Sequence, residues 1–152
     1  MDEADLLFQL DGDADVMKYI TLGVPRTMDE VIEKSMPRIL KSYQDKTDFG
    51  IFAAYLINSE KYIGWFQFEK DKEFEDSIEI GWRLKKQYWG NGYATEVAIV
   101  LCELGINMGK TIVARAMIEN LASIRVMEKA GLKFEKKFWY PHSSSPDVLH
   151  KR

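Results

Sequence analysis

The chain has 152 residues, enough for one domain with its own hydrophobic core, and we expect residues 1–152 to form a single domain. It is 46% hydrophobic and 30% charged, a composition that excludes a disordered or fibrous protein. The formal net charge of -3 argues against a nucleic-acid partner, and the single cysteine, Cys102, excludes an intramolecular disulfide.

Membrane and secretion signals are also missing from the sequence. The longest stretch without a charge, residues 49–59, is too short to cross a bilayer. The N-terminus is acidic and lacks the basic region of a secretory signal. We therefore expect a cytoplasmic protein with no membrane partner.

The first part of the chain has helical patterns. Leucines over residues 6–10 form a short apolar stripe, and Thr27 and Glu30 have the spacing of a capping box. Apolar residues over 31–43 give the helix that follows a buried face. Pro37 lies inside this pattern, so we expect it to kink or split the helix.

The hydrophobic period changes after residue 49. Residues 50–57, 61–69 and 77–84 are rich in β-branched and aromatic residues and predict an antiparallel meander. In the third of these strands Glu79, Gly81 and Arg83 share one face. We interpret the charged run over residues 69–76 as a solvated hairpin tip, or less readily as a region that attracts a cationic substrate.

The second half alternates helices and strands. A glycine-bearing turn is followed by a helix ending at Gly109 and a strand over 111–118. A second helix begins at its N-cap, Asn120, and closes at Gly131. Strands over 134–140 and 148–152 complete an α+β domain with a largely antiparallel sheet.

The segment from Gln87 to Thr95 follows a strand and opens a helix. Glycines at positions 90 and 92 let the backbone turn tightly and present successive amides, and the helix N-terminus adds unpaired donors. Such an arrangement holds a phosphate or diphosphate without a lysine. An ordinary tight turn between strand and helix is the alternative interpretation.

Two other phosphate-binding motifs do not fit the sequence. A dinucleotide fingerprint requires Gly or Ala where Thr95 stands, and no parallel βαβ unit surrounds the segment. Residues 105–111 end like a P-loop, but their glycine spacing is one residue short. That segment also leads from a helix into a strand, which is the reverse of a P-loop.

The pattern Gln87-x-x-Gly90-x-Gly92-x-Ala94 resembles the acyl-CoA pyrophosphate loop of the GNAT N-acetyltransferase superfamily. Residues 79–84 (EIGWRL), 88–96 (YWGNGYATE) and 120–132 (NLASIRVMEKAGL) resemble the branch that acetylates ribosomal-protein N-termini. The resemblance covers nearly the whole chain. It implies a mixed, largely antiparallel central sheet with helices on both faces, here with the family's N-terminal strand missing.

The resemblance implies acetyl-CoA as cosubstrate and residues that hold it. The strand end Trp82, Arg83 and Leu84 would bind the pantetheine arm, and a backbone amide there would polarise the thioester carbonyl. Asn120 corresponds to the family's asparagine near the thiol end of the cofactor. The implied diphosphate site comprises Gln87, Gly90, Asn91, Gly92, Tyr93, Ala94 and Thr95.

In the implied reaction an amine attacks the thioester directly, so an ammonium group must first lose a proton. An α-amine has a pKa of ~8 and a lysine amine a pKa of ~10.4, so the α-amine depends less on a general base to lose its proton at neutral pH. Glu79 is the candidate general base, the alternative being that it pairs with Arg83.

Many relatives have a proton-donating tyrosine where Met127 stands. Ser123, otherwise a helix-start hydroxyl, and more weakly Tyr140 are the remaining candidates for the acid.

The sequence thus predicts an N-acetyltransferase that acts on a protein N-terminal α-amine. A small-molecule amine (amino acid, polyamine or aminoglycoside) and a non-catalytic acyl-CoA-binding module are the alternatives.

The missing first strand predicts a sheet edge that a second subunit covers, giving a homodimer. His142 and His150 lack partners at ligand spacing, so we expect no metal.

Overall fold

The computed structural model describes residues 3–44, 48–141 and 143–152. The first described element is a helix. In chain order the elements are α1 (Glu3–Asp11), α2 (Met28–Glu30), a π-helical turn (Val31–Ser35), α3 (Met36–Ser42), β1 (Gly50–Tyr55), β2 (Tyr62–Lys70), β3 (Ser77–Leu84), a 3-10 turn (Lys86–Tyr88), α4 (Tyr93–Asn107), β4 (Thr111–Met117), α5 (Leu121–Lys129), β5 (Lys133–Phe138) and β6 (Asp147–Lys151). The six strands form one mixed, largely antiparallel sheet in the order β1-β2-β3-β4-β6-β5, which confirms the predicted α+β class.

The chain divides into two compact units. Unit 1 comprises residues 1–67 and 82–91, and unit 2 comprises residues 68–81 and 92–152. The expected single domain over the whole chain stays a prediction. Within the part of the chain that the structure describes, no helix has the length and apolar character needed to span a membrane.

The helical segment of unit 1 begins with the predicted capping box. The hydroxyl of Thr27 accepts a hydrogen bond from the Glu30 amide at 3.2 Å, and the Glu30 carboxylate accepts one from the Thr27 amide at 3.1 Å. Pro37 lies in the first turn of α3, the part of a helix that best tolerates a residue without an N–H. The prediction that it splits the helix is confirmed, and the split is the π-helical turn before it.

Unit 1 has its own hydrophobic core, which joins the helices to the first strands. The predicted leucine stripe of α1 supplies part of it. Burying such side chains contributes roughly 1.5–3 kcal/mol each, which fixes the short helices on the strands. The buried members are Leu7, Leu10, Val16, Val31, Ile51, Tyr62 and Trp65.

A buried carboxylate also joins the elements of unit 1. Asp11, at the end of α1, accepts hydrogen bonds from Arg26 at 3.0 Å, from the hydroxyl of Ser35 at 2.6 Å, and from Arg83. The Arg83 guanidinium also lies over the Trp65 ring, 4.9 Å from its centroid. Arg83 is therefore engaged within unit 1 by Asp11 and Trp65, and the alternative in which Glu79 pairs with it stays a prediction.

In unit 2 the strand β3 pairs in parallel with β4 over a short ladder. Ser77 lies opposite Thr111, and the register ends with Glu79 opposite Val113, although both strands continue beyond these residues. The strand β6 pairs antiparallel with β4 and with β5. Gly105 lets α4 lie close to β4, because a Cβ there would come within 2.2 Å of the Ile112 side chain.

The ends of α4 and α5 agree with the sequence. Gly109 after α4 and Gly131 after α5 have φ angles of 73° and 85°, the left-handed conformation that closes a helix. Two strands end two residues earlier than expected, β1 at Tyr55 and β5 at Phe138. Pro141 disfavours regular pairing near the end of β5, since proline donates no hydrogen bond to a strand.

Candidate active site

The two-glycine turn before α4 has the conformation that the sequence predicts. Gly90 and Gly92 have φ angles of 75° and 83°, and Gly92 is the N-cap residue of α4. A Cβ at either position would meet no atom within 4 Å. Backbone conformation, rather than crowding, therefore requires glycine at these two positions.

The first turn of α4 presents backbone donors. The Glu96 amide donates to the Gly92 carbonyl at 2.9 Å and makes the first hydrogen bond of the helix. The amides of Tyr93, Ala94 and Thr95 precede that bond and therefore have no carbonyl of this helix to donate to. Together with the helix dipole they favour an anion at this end of α4.

Side chains of the turn brace its first half within unit 1. The indole nitrogen of Trp89 donates to the Leu84 carbonyl at 2.8 Å. The side-chain amide of Asn91 donates to the carbonyls of Tyr88 at 3.1 Å and Trp89 at 3.0 Å. The sequence predicted only a cofactor contact for Asn91, although asparagine in a tight turn commonly bonds its own backbone.

The strand end expected to meet the pantetheine arm packs against β2 in unit 1. A Cβ on Gly64 would lie 2.1 Å from the Arg83 carbonyl oxygen, so the two backbones approach closely at this point. The Lys85 amide then donates to the Ile63 carbonyl at 2.9 Å. Because the side chain of Arg83 binds Asp11, its expected part in the site is a backbone one.

Glu79, the candidate base, lies at the last paired position of the β3–β4 ladder. Its side chain is 29% exposed and accepts a hydrogen bond from Nη1 of Arg115 at 3.1 Å. Burial lowers the pKa of Arg115, but its bond to Asp71 and the charges of Glu79 and Asp71 outweigh this and raise the pKa above its ordinary value. Arg115 therefore remains a cation beside the Glu79 carboxylate.

The hairpin over residues 69–76 is not a wholly solvated tip, and that interpretation is wrong for Asp71. The Asp71 side chain is 1% exposed and accepts hydrogen bonds from Arg115 and from the amides of Glu73 and Phe74 at 2.9 and 2.7 Å. Burial raises its pKa, but these hydrogen bonds outweigh burial and hold the pKa below the ordinary value. The one signal in the sequence is an arginine inside the otherwise apolar strand Thr111–Met117.

Asn120 and Ser123 lie together at the start of α5. The side-chain oxygen of Asn120 accepts a hydrogen bond from the Ser123 amide at 3.2 Å, which confirms the predicted N-cap. Met127, one turn further on, is buried. Its thioether has no proton to give, in keeping with its position in the core.

Tyr140 shares unit 2 with Glu79 and Arg115. Burial raises the pKa of Tyr140; the positive charge of Arg115 opposes this shift, and the carboxylates of Asp147, Glu79 and Glu73 add to it. Its phenol thus stays protonated at neutral pH. Such a group can donate a proton, as the general acid that protonates the leaving thiolate must do.

A family model for the acetyltransferase (GNAT) domain matches residues 1–133. The chain belongs to the GNAT acetyltransferase family. The resemblance noted in the sequence is thereby confirmed at the level of the family, while the ribosomal-protein branch stays a prediction.

Known proteins of this family resemble the chain over most of its length. FsC-acetyl coenzyme A-N(2)-transacetylase of Aspergillus fumigatus is 28% identical over 93% of this chain, which spans only 63% of the fungal protein. The crystal structure of a GNAT-family acetyltransferase from Bacillus anthracis is 28% identical, covers 99% of this chain and 88% of its own, and has a TM-score of 0.79. Aminoglycoside acetyltransferase AAC(6')-Ib in complex with coenzyme A shares the fold, with 24% identity, a TM-score of 0.74, and coverage of 100% and 91%.

An open pocket of about 690 Å³ lies in unit 1 of this GNAT protein beside the glycine turn. Its lining includes Lys85, Lys86 and Gln87, and the last of these is a predicted diphosphate ligand. Lys86 pairs with Asp15 at 2.5 Å. Sequence analysis did not predict this pair, because the two residues are 71 positions apart.

Among residues 3–44, 48–141 and 143–152, no three His, Cys, Asp or Glu side chains group as ligands. His150 is buried in β6. His142 lies outside the described residues.

Proposed function

We propose that this protein transfers the acetyl group of acetyl-CoA to a primary amine. The observation that carries the proposal is the turn with two left-handed glycines, which leads into a helix whose first amides have no carbonyl of that helix to bond. A diphosphate carries the charge and the acceptor oxygens that such a helix end favours.

The residues proposed to hold acetyl-CoA follow the family motif. The segment Gln87–Thr95 binds the diphosphate through its amides, with the side chain of Gln87 beside it. Backbone groups of Trp82–Leu84 bind the pantetheine arm, and an amide there stabilises negative charge that develops on the thioester oxygen. Asn120 lies near the thiol end.

Glu79 is proposed to remove the proton that the acceptor ammonium must lose. The amine then forms a C–N bond to the thioester carbon, the C–S bond breaks, and coenzyme A leaves as a thiolate that takes up a proton. Tyr140, whose phenol stays protonated, is a candidate donor of that proton, and Ser123 is the other. Neither donor needs to be charged before the reaction, so both fit neutral pH.

We propose a protein N-terminal α-amine as the first acceptor, because residues 79–96 and 120–132 resemble that branch and an α-amine loses its proton readily. A small-molecule amine is the second candidate. One protein that shares the fold favours it, since it is an aminoglycoside acetyltransferase. The homodimer remains part of the proposal and not of the structure.

Release of coenzyme A thiol from acetyl-CoA tests the proposal with an alanine-initiated peptide, spermidine and kanamycin as acceptors. Turnover of the peptide alone supports the first acceptor, and turnover of either small amine alone supports the second. If acetyl-CoA binds and no amine accelerates thiol release, the catalytic proposal is wrong and the non-catalytic binding module replaces it.

A further inference from the structure

Arg115 connects three carboxylates in unit 2. It lies on β4, two residues beyond the last pair of the ladder, and its side chain is 11% exposed. Its guanidinium donates to Asp71 at 2.5 and 3.3 Å, to Glu73 at 3.1 Å, and to Glu79 at 3.1 Å. Charge-assisted bonds of this kind are stronger than neutral ones and fix the geometry of the partners.

Asp71 is the most buried of these three carboxylates. Its side chain is 1% exposed. It accepts hydrogen bonds from both terminal nitrogens of Arg115 and from two backbone amides of its own hairpin. Glu73 is 49% exposed and is shared with Lys136 at 2.9 Å. An exposed ion pair such as the one between Glu73 and Lys136 contributes little to stability. Asp71 rather than Glu73 therefore determines where the Arg115 guanidinium lies.

One nitrogen joins Asp71 to the candidate base. Nη1 of Arg115 donates both to Oδ2 of Asp71 and to Oε1 of Glu79. The position of Asp71 therefore determines the point at which Glu79 is held. We infer that Asp71 is a positioning residue for Glu79 and acts through Arg115, an inference that rests on the proposed role of Glu79 as the base.

The inference predicts which kinetic parameter changes. Glutamate has three side-chain torsions, and at 29% exposure a released carboxylate would sample several rotamers. A displacement of about 1 Å at a reacting group costs up to about 10²-fold in rate. Loss of the Asp71 charge should therefore lower kcat while leaving the KM for acetyl-CoA unchanged, because no atom of Asp71 belongs to the proposed cofactor site.

A double-mutant cycle tests the inference. Asp71→Asn keeps an oxygen for the two backbone amides and removes the charge that fixes Arg115. We expect it to lower kcat about tenfold in the wild-type background and less than twofold in the Glu79→Gln background, since it acts through Glu79. The assay is thiol release with whichever of the alanine-initiated peptide, spermidine or kanamycin turns over fastest.

Asp76→Asn is the matched control. Asp76 is on the same hairpin, is 79% exposed and pairs with Lys110 rather than Arg115. Its φ angle of 59° suits asparagine, so the substitution should leave kcat unchanged. If Asp71→Asn does not fold, Arg115→Lys takes its place: it keeps a cation facing Asp71, loses the two-nitrogen fork, and should show the same dependence on Glu79.

The outcomes separate the inference from the proposed function. Equal losses of kcat from Asp71→Asn in both backgrounds would show that Asp71 only braces the hairpin, which overturns the inference and leaves Glu79 as the base. No loss from Glu79→Gln itself would refute the base assignment and the inference with it. A loss confined to the wild-type background supports both.

Discussion

Glu79 has the position and the partners of a base that an acceptor amine can reach. Its carboxylate faces the Arg115 cation at 3.1 Å, while part of its side chain stays open to solvent. Such a carboxylate can accept a proton directly or through one water molecule. Its chemistry can be tested without altering the ladder, because glutamine has the same shape.

We expect Glu79→Gln to lower kcat by about 10²-fold at pH 7, the lower end of what general-base catalysis contributes. The substitution removes the proton acceptor but keeps an oxygen that Arg115 can bond. Steady-state thiol release with a peptide acceptor measures it. At pH 9 most of an α-amine is already unprotonated, so the loss of kcat in the variant relative to the wild type should become smaller. A deficit that is equally large at pH 9 would contradict the role of Glu79 as base.

His150 is a buried titratable residue that the proposed reaction does not use. It lies in β6, where its ring meets the edge of Phe134 with centroids 5.9 Å apart, and its Nδ1 has no hydrogen-bond partner among the described residues. Burial lowers the pKa of His150 below its ordinary value of 6.5, and the charge of Glu128 opposes this shift. The folded protein therefore holds His150 neutral.

The stability of the protein should consequently fall as the pH drops below 6.5. In that range the unfolded chain binds a proton at His150 that the folded chain resists, so the free energy of unfolding decreases toward acid. Thermal unfolding from pH 7.5 to 5 measures this. We expect His150→Phe, which keeps an aromatic ring beside Phe134, to flatten the profile in this range. An unchanged profile would show that His150 is not the group responsible.

At the scale of elements, the start of α5 combines a structural and a proposed functional role in one side chain. Asn120 caps the helix through its oxygen, and the family resemblance places the same residue near the thiol end of acetyl-CoA. Aspartate is as good an N-cap as asparagine, but it brings a negative charge and no side-chain donor.

Two substitutions of Asn120 should therefore behave differently. Asn120→Asp should leave the free energy of unfolding unchanged but lower kcat several-fold, because its carboxylate repels the negative charge that develops on the leaving thiolate in the transition state. Asn120→Ala should lower the free energy of unfolding by about 1 kcal/mol. Chemical denaturation and steady-state kinetics measure the two effects. An unchanged kcat in both variants would leave Asn120 a helix cap only.

Features that depend on neighbouring residues could be predicted from the sequence. The capping box at Thr27, the split before Pro37 and the left-handed glycines at 90, 92 and 109 each follow from local backbone preferences. The glycine turn was therefore the part of the candidate site that sequence analysis described best.

Contacts between distant residues could not be predicted in this way. Asp71 and Arg115 are 44 positions apart, and Asp11 and Arg83 are 72 apart. Strand alternation placed Glu79 and Arg83 on one face of β3, but which cations and carboxylates they meet depends on how other elements pack. Nothing local in the charged run over residues 69–76 distinguishes the buried Asp71 from its exposed neighbours.

At the scale of the whole molecule, binding of acetyl-CoA should stabilise the fold by mass action. At a concentration of about 100 times Kd the gain is about 2.7 kcal/mol, which corresponds to roughly 5–10 °C in Tm for a chain of this size. Thermal unfolding with and without acetyl-CoA measures it. Absence of a shift at millimolar acetyl-CoA would argue against specific binding.

The account as a whole depends on the glycine turn as the diphosphate site, and two matched variants test it. Gly92 and Gly109 are both exposed, have φ angles of 83° and 73°, and would place a Cβ in open space. A tryptophan should therefore strain either position similarly, by about 1–2 kcal/mol. Only Gly92, however, lies at the proposed diphosphate site, at the start of α4.

Isothermal titration of coenzyme A into both variants, well below their Tm, is the most direct measurement. We predict that Gly109→Trp binds coenzyme A like the wild type, and that Gly92→Trp loses at least about 10²-fold in affinity, or roughly 2.7 kcal/mol. Equal affinity in both variants, with both folded, would contradict the account.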